Sequence, residues 1–411
     1  MPYFDILETR DPAVREAQLL ARLPELVAHA KSQTAYFGKL LAGIDPAGMT
    51  SREALATLPV TRKGDLIELQ KKNPPFGGLN AKRPSAFARI FMSPGPIYDP
   101  EAQGRDYWRF ARALYAVGFR PGDILHNSFS YHLTPAGSML ETAAHALGCA
   151  VVPAGTGQTE LQLRAISDIR PSGYAGTPSF LKILFEKAAE TGTDISVLMK
   201  KALVSGEALP PSLRSELAGH GCDVLQCYAT ADLGLIAYES DAKEGMILDE
   251  GVIVEIVRPG TGDPVPDGEV GEIVVTTLTP DYPLVRFGTG DMSAILPGQS
   301  PCGRTNRRIK GWMGRADQTT KVKGMFVHPG QVADAARRHP EIVRFRLVVG
   351  GAAGRDEMVL RCEAESQDAA LAARIADSLH ATTKLKGRVE LVAPGSLPND
   401  GKVIEDSRSY E

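Results

Sequence analysis

What this chain lacks narrows its function before any motif is read. No run of residues approaches the ~18 apolar positions of a membrane span. The early segment MPYFDILETRDPAVREAQ is charged almost from its start and has no apolar export core. Neither membrane nor secretion is therefore expected, and the expected location is the cytoplasm. Charge of one sign is not in excess: 46 Lys and Arg face 49 Asp and Glu, for a net charge of −3. Without a basic tract, nucleic acid is not an expected partner. Cysteine is sparse and odd in number; Cys149, Cys222, Cys227, Cys302 and Cys362 are scattered and read as reduced, mostly buried thiols. Internal repeats at solenoid periods and low-complexity segments are also missing.

What is present describes a globular protein of more than one domain. At 411 residues, with 43% apolar and 23% charged side chains, two or three domains are expected. Helical apolar spacing marks residues 10–45, with Leu19, Leu20, Leu23, Leu26 and Val27 on one stripe. Further on, strand-like and helix-like runs alternate. The strands are Asp123–Phe129, Ala150–Pro153, Gly173–Ala175, Lys201–Ser205 and Asp223–Cys227. The helices are Asp106–Val117, Thr134–Ala146, Glu160–Ile169, Pro178 to about Glu190, and Pro211–Ala218. That alternation predicts βαβ units and a largely parallel sheet. From Gly251 the rhythm changes. Val252–Val257 and Gly271–Thr277 flank a turn-rich stretch and predict a small antiparallel subdomain. After Gly324, a helix at Gln331–Arg338, strands at Arg344–Val349 and Met358–Cys362, a helix at Ala369–Thr383 and a strand at Val389–Val392 predict a compact α+β C-terminal domain.

Chemistry concentrates in two segments, DYPLVRFGTGD (281–291) and GRADQTTKVKGMFVHP (314–329). The first places Arg286 and Asp291 around a Gly-Thr-Gly turn, and an ionised carboxylate there suits a vicinal diol. The second gathers Arg315, Asp317, Lys321 and Lys323, and clustered cations suit phosphate. Together they point to a nucleotide. The plainer reading of Asp291 is a carboxylate capping its own turn; that of Arg315 is a surface ion pair.

Nine co-linear segments between Leu147 and the C-terminus resemble the adenylate-forming enzymes, and within them the phenylacetate–CoA ligase family. They are LGCAVVPAGTGQTELQL, YAGTPSFL, LVSGEALP, CYATADLG, GDPVPDGEVGEIVVTTLT, YPLVRFGTGD, CGRTNRRI, GRADQTTKVKGMFVHPGQV and LPNDGKVIEDSR. The resemblance implies an α/β fold with a large N-terminal domain of βαβ units at 1–314, including a small β subdomain at about 250–312. A hinge at 315–317 and a mobile C-terminal domain at 318–411 follow. It implies an AMP-forming acid–CoA ligase: ATP and a carboxylate give an acyl-adenylate, and CoA then takes the acyl group. ATP/AMP, Mg²⁺ and coenzyme A are the implied cofactors, a small carboxylic acid the substrate, and a homodimer the family-level expectation.

Residue by residue, the resemblance gives Asp291 the ribose hydroxyls, Arg315 ribose or phosphate, Asp317 the hinge, and Lys323 a phosphate. Ser205, Gly206, Glu207 and Ala208 are implied at the adenine, where small residues let a flat base approach the backbone. Tyr228 would stack on its other face, and Thr230 belongs to the same stretch. Asp232 stands where the family usually has a Mg²⁺-binding Glu; its plainer reading is a helix N-cap. Lys402 matches the mobile catalytic lysine, a cation that stabilises charge developing in adenylation. Phe129, Tyr131, Thr177 and Pro178, with His132 and Phe180, are candidates for the acyl pocket, where aromatic lining would suit an aryl acid.

Two departures qualify that picture. The family's phosphate loop reads roughly SSGTTGKP, whereas here it is SPGPIYDP, residues 93–100. Ser93 and Gly95 remain, but the prolines remove amide donors, the lysine is gone, and Asp99 brings negative charge where a triphosphate would sit. A degenerate relative that binds nucleotide or acyl-CoA without full catalysis is therefore the alternative. Secondly, the positions of a Cys/His zinc site found in some relatives hold Ser240, Ile247, Ser300 and Cys302, and one thiol cannot build a four-ligand site, so no zinc is expected.

Overall fold

The computed structural model describes residues 2–313, 315–316, 320–327, 329–351, 356–398 and 403–408. The chain divides into two compact units, Met1–Gly314 and Arg315–Glu411.

The first unit is built on a nine-stranded mixed sheet. Five strands run parallel, in the spatial order Ala150–Pro153, Ile124–Asn127, Gly173–Gly176, Lys201–Val204 and Asp223–Thr230. Helices Ala136–Leu147, Thr159–Ile169, Pro178–Glu190 and Pro211–Gly219 connect them, as the alternation of periods predicts. Local chemistry sets their ends. Gly148 takes a left-handed φ of 83° and stops the first of these helices, a conformation without steric penalty only for glycine. Thr177 caps the third, its hydroxyl accepting from the Phe180 amide, and Pro178 fills the first helical position.

Beyond Asp223–Thr230 the sheet turns antiparallel. Gly234–Tyr238, Met246–Leu248, Arg308–Ile309 and Ile295–Leu296 extend it. A second sheet of four strands carries Val252–Val257, Gly271–Thr277 and Phe287–Ser293, the first two antiparallel as expected. Its remaining edge is Thr61–Arg62, which pairs parallel with Phe287–Ser293 from more than two hundred residues upstream. Thus strands 295–296 and 308–309, inside the expected subdomain bounds, belong to the large sheet, while a remote N-terminal strand completes the small one.

Three further local expectations change. The helix expected at 106–117 spans only Ala111–Ala116, because Asp106 and Arg109 take positive φ of 54° and 68°. Arg109 spends its guanidinium on the carbonyls of Leu233 and Leu235 and on Asp249. The GTGD segment is not a turn but part of strand Phe287–Ser293, with a bulge against Glu272–Val274. Asp232 lies in the tight turn between Asp223–Thr230 and Gly234–Tyr238, so it caps no helix.

The second unit has a four-stranded sheet in the order Arg388–Val392, Glu357–Glu363, Arg344–Gly350 and Ile404–Asp406. Helices Pro329–Arg337 and Ala369–Thr383 accompany it, and Thr320–Val322 pairs with Met325–Val327. Its core holds Val332, Leu347, Val349, Leu360, Leu371, Ile375 and Leu379. No helix among the described residues is long and apolar enough to cross a membrane.

Candidate active site

Strand Phe287–Ser293 turns Asp291 inward, and two donors take its carboxylate: the Tyr228 hydroxyl at 2.9 Å on Oδ2, and the Trp312 indole N–H at 3.0 Å on Oδ1. An ionised carboxylate has about four lone-pair sites and can accept from several donors at once. The strand itself is braced. The Gly290 amide donates to Glu272, which Arg62 pairs at 2.7 Å, and the Asp291 amide donates to the Thr289 hydroxyl.

Arg286, five residues earlier, does not share this site. It is almost wholly buried, donates twice to Glu255 at 3.0 Å, and reaches the carbonyls of Ala56, Leu58 and Gly262. It ties the N-terminal segment to the small sheet, and its chemistry is structural.

Lys63, just after strand Thr61–Arg62, was not singled out by sequence. Its ammonium pairs with Asp232 at 2.5 Å. Burial works against the Lys63 charge, but Asp232, Asp99 and Asp291 outweigh it and hold the group above its ordinary value. Asp99 is fully buried and accepts from the Ser93 hydroxyl at 2.8 Å. Burial first, then the charge of Asp232, push its carboxyl well above the usual carboxylate range, against the pull of Lys63 and Ser93. The Tyr282 hydroxyl is buried beside the same two carboxylates, and burial chiefly, then Asp99 and Asp232, raise it as well. Oδ1 of Asp99, Oδ1 of Asp232 and the Tyr282 oxygen have no hydrogen-bond partner among the described residues.

The SPGPIYDP segment is a β-hairpin, with Arg89–Ser93 antiparallel to Ile97–Glu101 around Pro94, Gly95 and Pro96. Two of those three residues lack an N–H, so the tip cannot form a nest of amides. Asp99 points into the protein rather than over an open loop, which corrects the expectation of a bare charge facing phosphates.

Ser205–Ala208 follows the fourth parallel strand, at the carboxyl ends where open α/β sheets bind ligands. The Ser205 hydroxyl donates to the Cys227 carbonyl, and Glu207 accepts from Ser179 at 2.5 Å. Gly206 has φ of 81°, and a Cβ there would meet only the Thr177 methyl, at 3.9 Å. Thr230 accepts from the Leu233 amide. Phe129 packs in the core near Trp108 and Met139, while Tyr131 is half-exposed and accepts from Asn127. Arg315 and Lys323 belong to the second unit; Lys323 donates its amide to Asp356. Asp317 and Lys402 lie outside the described residues.

A scan of family models matches residues 109–279 to the AMP-binding enzymes. The phenylacetate–coenzyme A ligase of Thermus thermophilus is 32% identical, with 97% of each chain covered. That of Escherichia coli is 30% identical, over 83% of this chain and 79% of the relative. The chain belongs to the phenylacetate–CoA ligase family. Among solved structures, a 2-hydroxyisobutyryl-CoA ligase in complex with 2-HIB-AMP and CoA has a TM-score of 0.84 at 25% identity, covering 100% of this chain and 93% of that one.

The positions compared above with a zinc site hold Ser240, Ile247, Ser300 and Cys302. The Ser300 hydroxyl and Cys302 thiol lie 3.1 Å apart, and Cys302 packs against the cluster containing Ile247. Burial opposes the Cys302 thiolate, but hydrogen bonds from Ser240, Ser300 and Arg304 outweigh it and lower the thiol below its ordinary value. Two hydroxyls, one sulfur and an isoleucine do not fit a structural zinc site.

Proposed function

We propose that this chain activates an aryl or related small carboxylate as its acyl-adenylate and transfers the acyl group to CoA. The observation that carries the nucleotide assignment is Asp291. It is a nearly buried carboxylate held by Tyr228 and Trp312, and a carboxylate so placed suits a ribose diol. In this reading Ser205, Gly206, Glu207 and Ala208 border the adenine, and the open space beside the Gly206 backbone supports that role. Tyr228 is kept for the base, with its hydroxyl also orienting Asp291, and Thr230 stays with the same strand end. Ser93 and Gly95 remain with the phosphates, Arg315 and Lys323 contact ribose or phosphate, and Phe129, Tyr131, Thr177 and Pro178 line the acid.

Asp232 is assigned the Mg²⁺ of MgATP, and its unpartnered, buried Oδ1 supports that choice. Mg²⁺ commonly keeps one or two carboxylates alongside substrate phosphates, and when bound it would neutralise phosphate charge. Lys402 supplies the cation for adenylation and Asp317 the hinge. A cytoplasmic homodimer completes the proposal.

The test is carboxylate-dependent pyrophosphate exchange across a panel of aryl and short hydroxy acids, followed by CoA thioester formation. Exchange with at least one acid is expected. Binding of AMP with no exchange for any acid would overturn the proposal in favour of a nucleotide-binding relative.

A further inference from the structure

Residues 310–313, KGWM, fall between two of the segments that resemble the family, CGRTNRRI and GRADQTTKVKGMFVHPGQV. The fold lays this short stretch along strand Phe287–Ser293. The Lys310 amide donates to the Ala294 carbonyl and the Met313 amide to the Met292 carbonyl, both at 2.9 Å. The Ser293 hydroxyl donates to the Gly311 carbonyl at 2.6 Å. Gly311 takes a φ of 110°, a conformation far more open to glycine than to other residues. The stretch thereby delivers Trp312 to the strand. Its ring packs, partly buried, against the core cluster that contains Tyr228, Ile295 and Ile309. Its indole N–H reaches Oδ1 of Asp291 at 3.0 Å, while the Tyr228 hydroxyl reaches Oδ2 at 2.9 Å.

The two donors together do what neither does alone. The torsion that turns an aspartate carboxylate about its Cβ–Cγ bond is broad, so a single bond leaves the plane free to swing. One donor on each oxygen fixes that plane. A vicinal diol needs acceptors in a set direction, and a carboxylate already held in place binds it with less ordering left to do. Both donors are neutral, so they orient the carboxylate without cancelling its charge, and hydrogen bonds to a charged acceptor are the strong ones. The plainer role for Trp312 is packing, an indole that fills space beside Tyr228 and meets the nearest acceptor. The two roles differ in one respect. Packing supports every nucleotide alike, whereas positioning matters only for a ligand that brings the diol.

We propose that Trp312 is a positioning residue of the nucleotide site. Through Nε1 it sets the plane of the Asp291 carboxylate for the two ribose hydroxyls, and so sharpens the preference for nucleotides that carry both. This deepens the ligase reading above and rests on its assignment of Asp291. The role has a spectroscopic signature, because the chain holds two tryptophans, Trp108 and Trp312. Trp108 is buried among Phe91 and Tyr107. A ribose bound at Asp291 changes the acceptor of the Trp312 N–H and leaves Trp108 as it was.

The experiment uses the full chain with no carboxylic acid present, and calorimetry with AMP and with 2′,3′-dideoxy-AMP, which lacks the diol. Wild type should bind AMP about tenfold or more tightly than the dideoxy nucleotide, the scale of hydrogen bonds to a charged group. Trp312→Phe keeps an aromatic ring and removes the N–H. It should lose about fivefold or more for AMP and stay within about twofold of wild type for the dideoxy nucleotide. A second arm leaves Trp312 in place, and so stands if Trp312→Phe does not fold. In the chain labelled with 5-fluorotryptophan, with Trp108→Phe used to assign the two fluorine resonances, AMP should shift the Trp312 signal and the dideoxy nucleotide should not. Equal losses for both nucleotides in Trp312→Phe, no loss for AMP, or a Trp312 resonance that answers to both nucleotides alike would overturn the proposal. Equal wild-type affinity for the two nucleotides would overturn the ribose role of Asp291 and the proposal with it. The ligase reading fails separately, on absence of pyrophosphate exchange in a wild type that binds AMP.

Discussion

At the residue scale, two charged side chains from one short segment have opposite fates. Asp291 is held by Tyr228 and Trp312 where the ribose is proposed, whereas Arg286 spends its guanidinium on Glu255 and three carbonyls. Asp291→Ala should therefore weaken AMP binding by about 1.5–3 kcal/mol, the scale of hydrogen bonds to a charged group. Calorimetry with unchanged affinity in a folded variant would remove Asp291 from the nucleotide site. A second residue makes a pH prediction. The Asp106 carboxyl is pushed up to about 7, chiefly by burial, with Asp249 adding to the rise and the Ala111 amide and Arg109 opposing it. In the unfolded chain the same carboxyl titrates near ~3.9. The folded state thus holds the proton more tightly. Its contribution to stability is complete below the unfolded value and is lost as pH rises through about 7. Between pH 5 and 8 this residue should cost the fold on the order of 2 kcal/mol, and Asp106→Asn should flatten that slope. Denaturant midpoints measured across the range decide it, and an identical slope in both proteins would refute the assignment.

At the element scale, the 89–101 hairpin depends on a neighbour for its position. Gln70, from helix Leu66–Lys72, donates to the Tyr98 carbonyl at 2.9 Å and accepts from the Tyr98 amide at 2.8 Å. A side-chain amide thus continues the ladder at the residue next to Asp99. Arg89–Glu101 and Ser138–Glu101 hold the far end. Gln70→Ala should cost about 1–3 kcal/mol of stability, since it strands paired backbone groups, and, with Ser93 and Gly95 proposed at the phosphates, it should weaken ATP binding more than AMP binding. Urea unfolding and both binding measurements read this. A variant as stable as wild type, with both affinities intact, would show that the hairpin positions itself.

At the scale of the whole molecule, the chain consists of two units, and a ligase of this family divides its work into two half-reactions. Lys402→Ala should cut adenylation by ~3 kcal/mol or more, the usual size of electrostatic stabilisation of this kind, and leave thioester formation from supplied acyl-AMP largely intact. Asp317→Pro should do the reverse, because a fixed φ resists the backbone change a hinge requires. Separate assays of the two half-reactions check this, and equal loss of both in each variant would refute a division of labour. These positions lie outside the described residues, so the prediction rests on the PNDGK and GRAD contexts.

Much of the fold was legible because local signals and tertiary demands agreed. Helices such as Pro178–Glu190 and Ala369–Thr383 have the expected bounds, since threonine or aspartate caps, proline at the first turn and apolar spacing act within a few residues. The βαβ alternation likewise implied the parallel strands, because each crossover needs its helix. Where distant contacts outweighed local preference, the sequence was silent or misleading. The periodicity of 106–110 gave way to Arg109's bonds with Leu233, Leu235 and Asp249. Thr61–Arg62 is too short to announce a strand and forms only because Phe287–Ser293 presents an open edge. The site divides the same way. Asp291, Tyr228 and Asp232 stood out from motifs whose spacing is local. Lys63, Trp312 and Tyr282 carry no local pattern, and only folding brings them to those carboxylates. The sequence by itself determined the family and the identity of the altered loop. The tertiary structure decided where Asp99 points, because the facing of a side chain in a hairpin depends on what packs behind it.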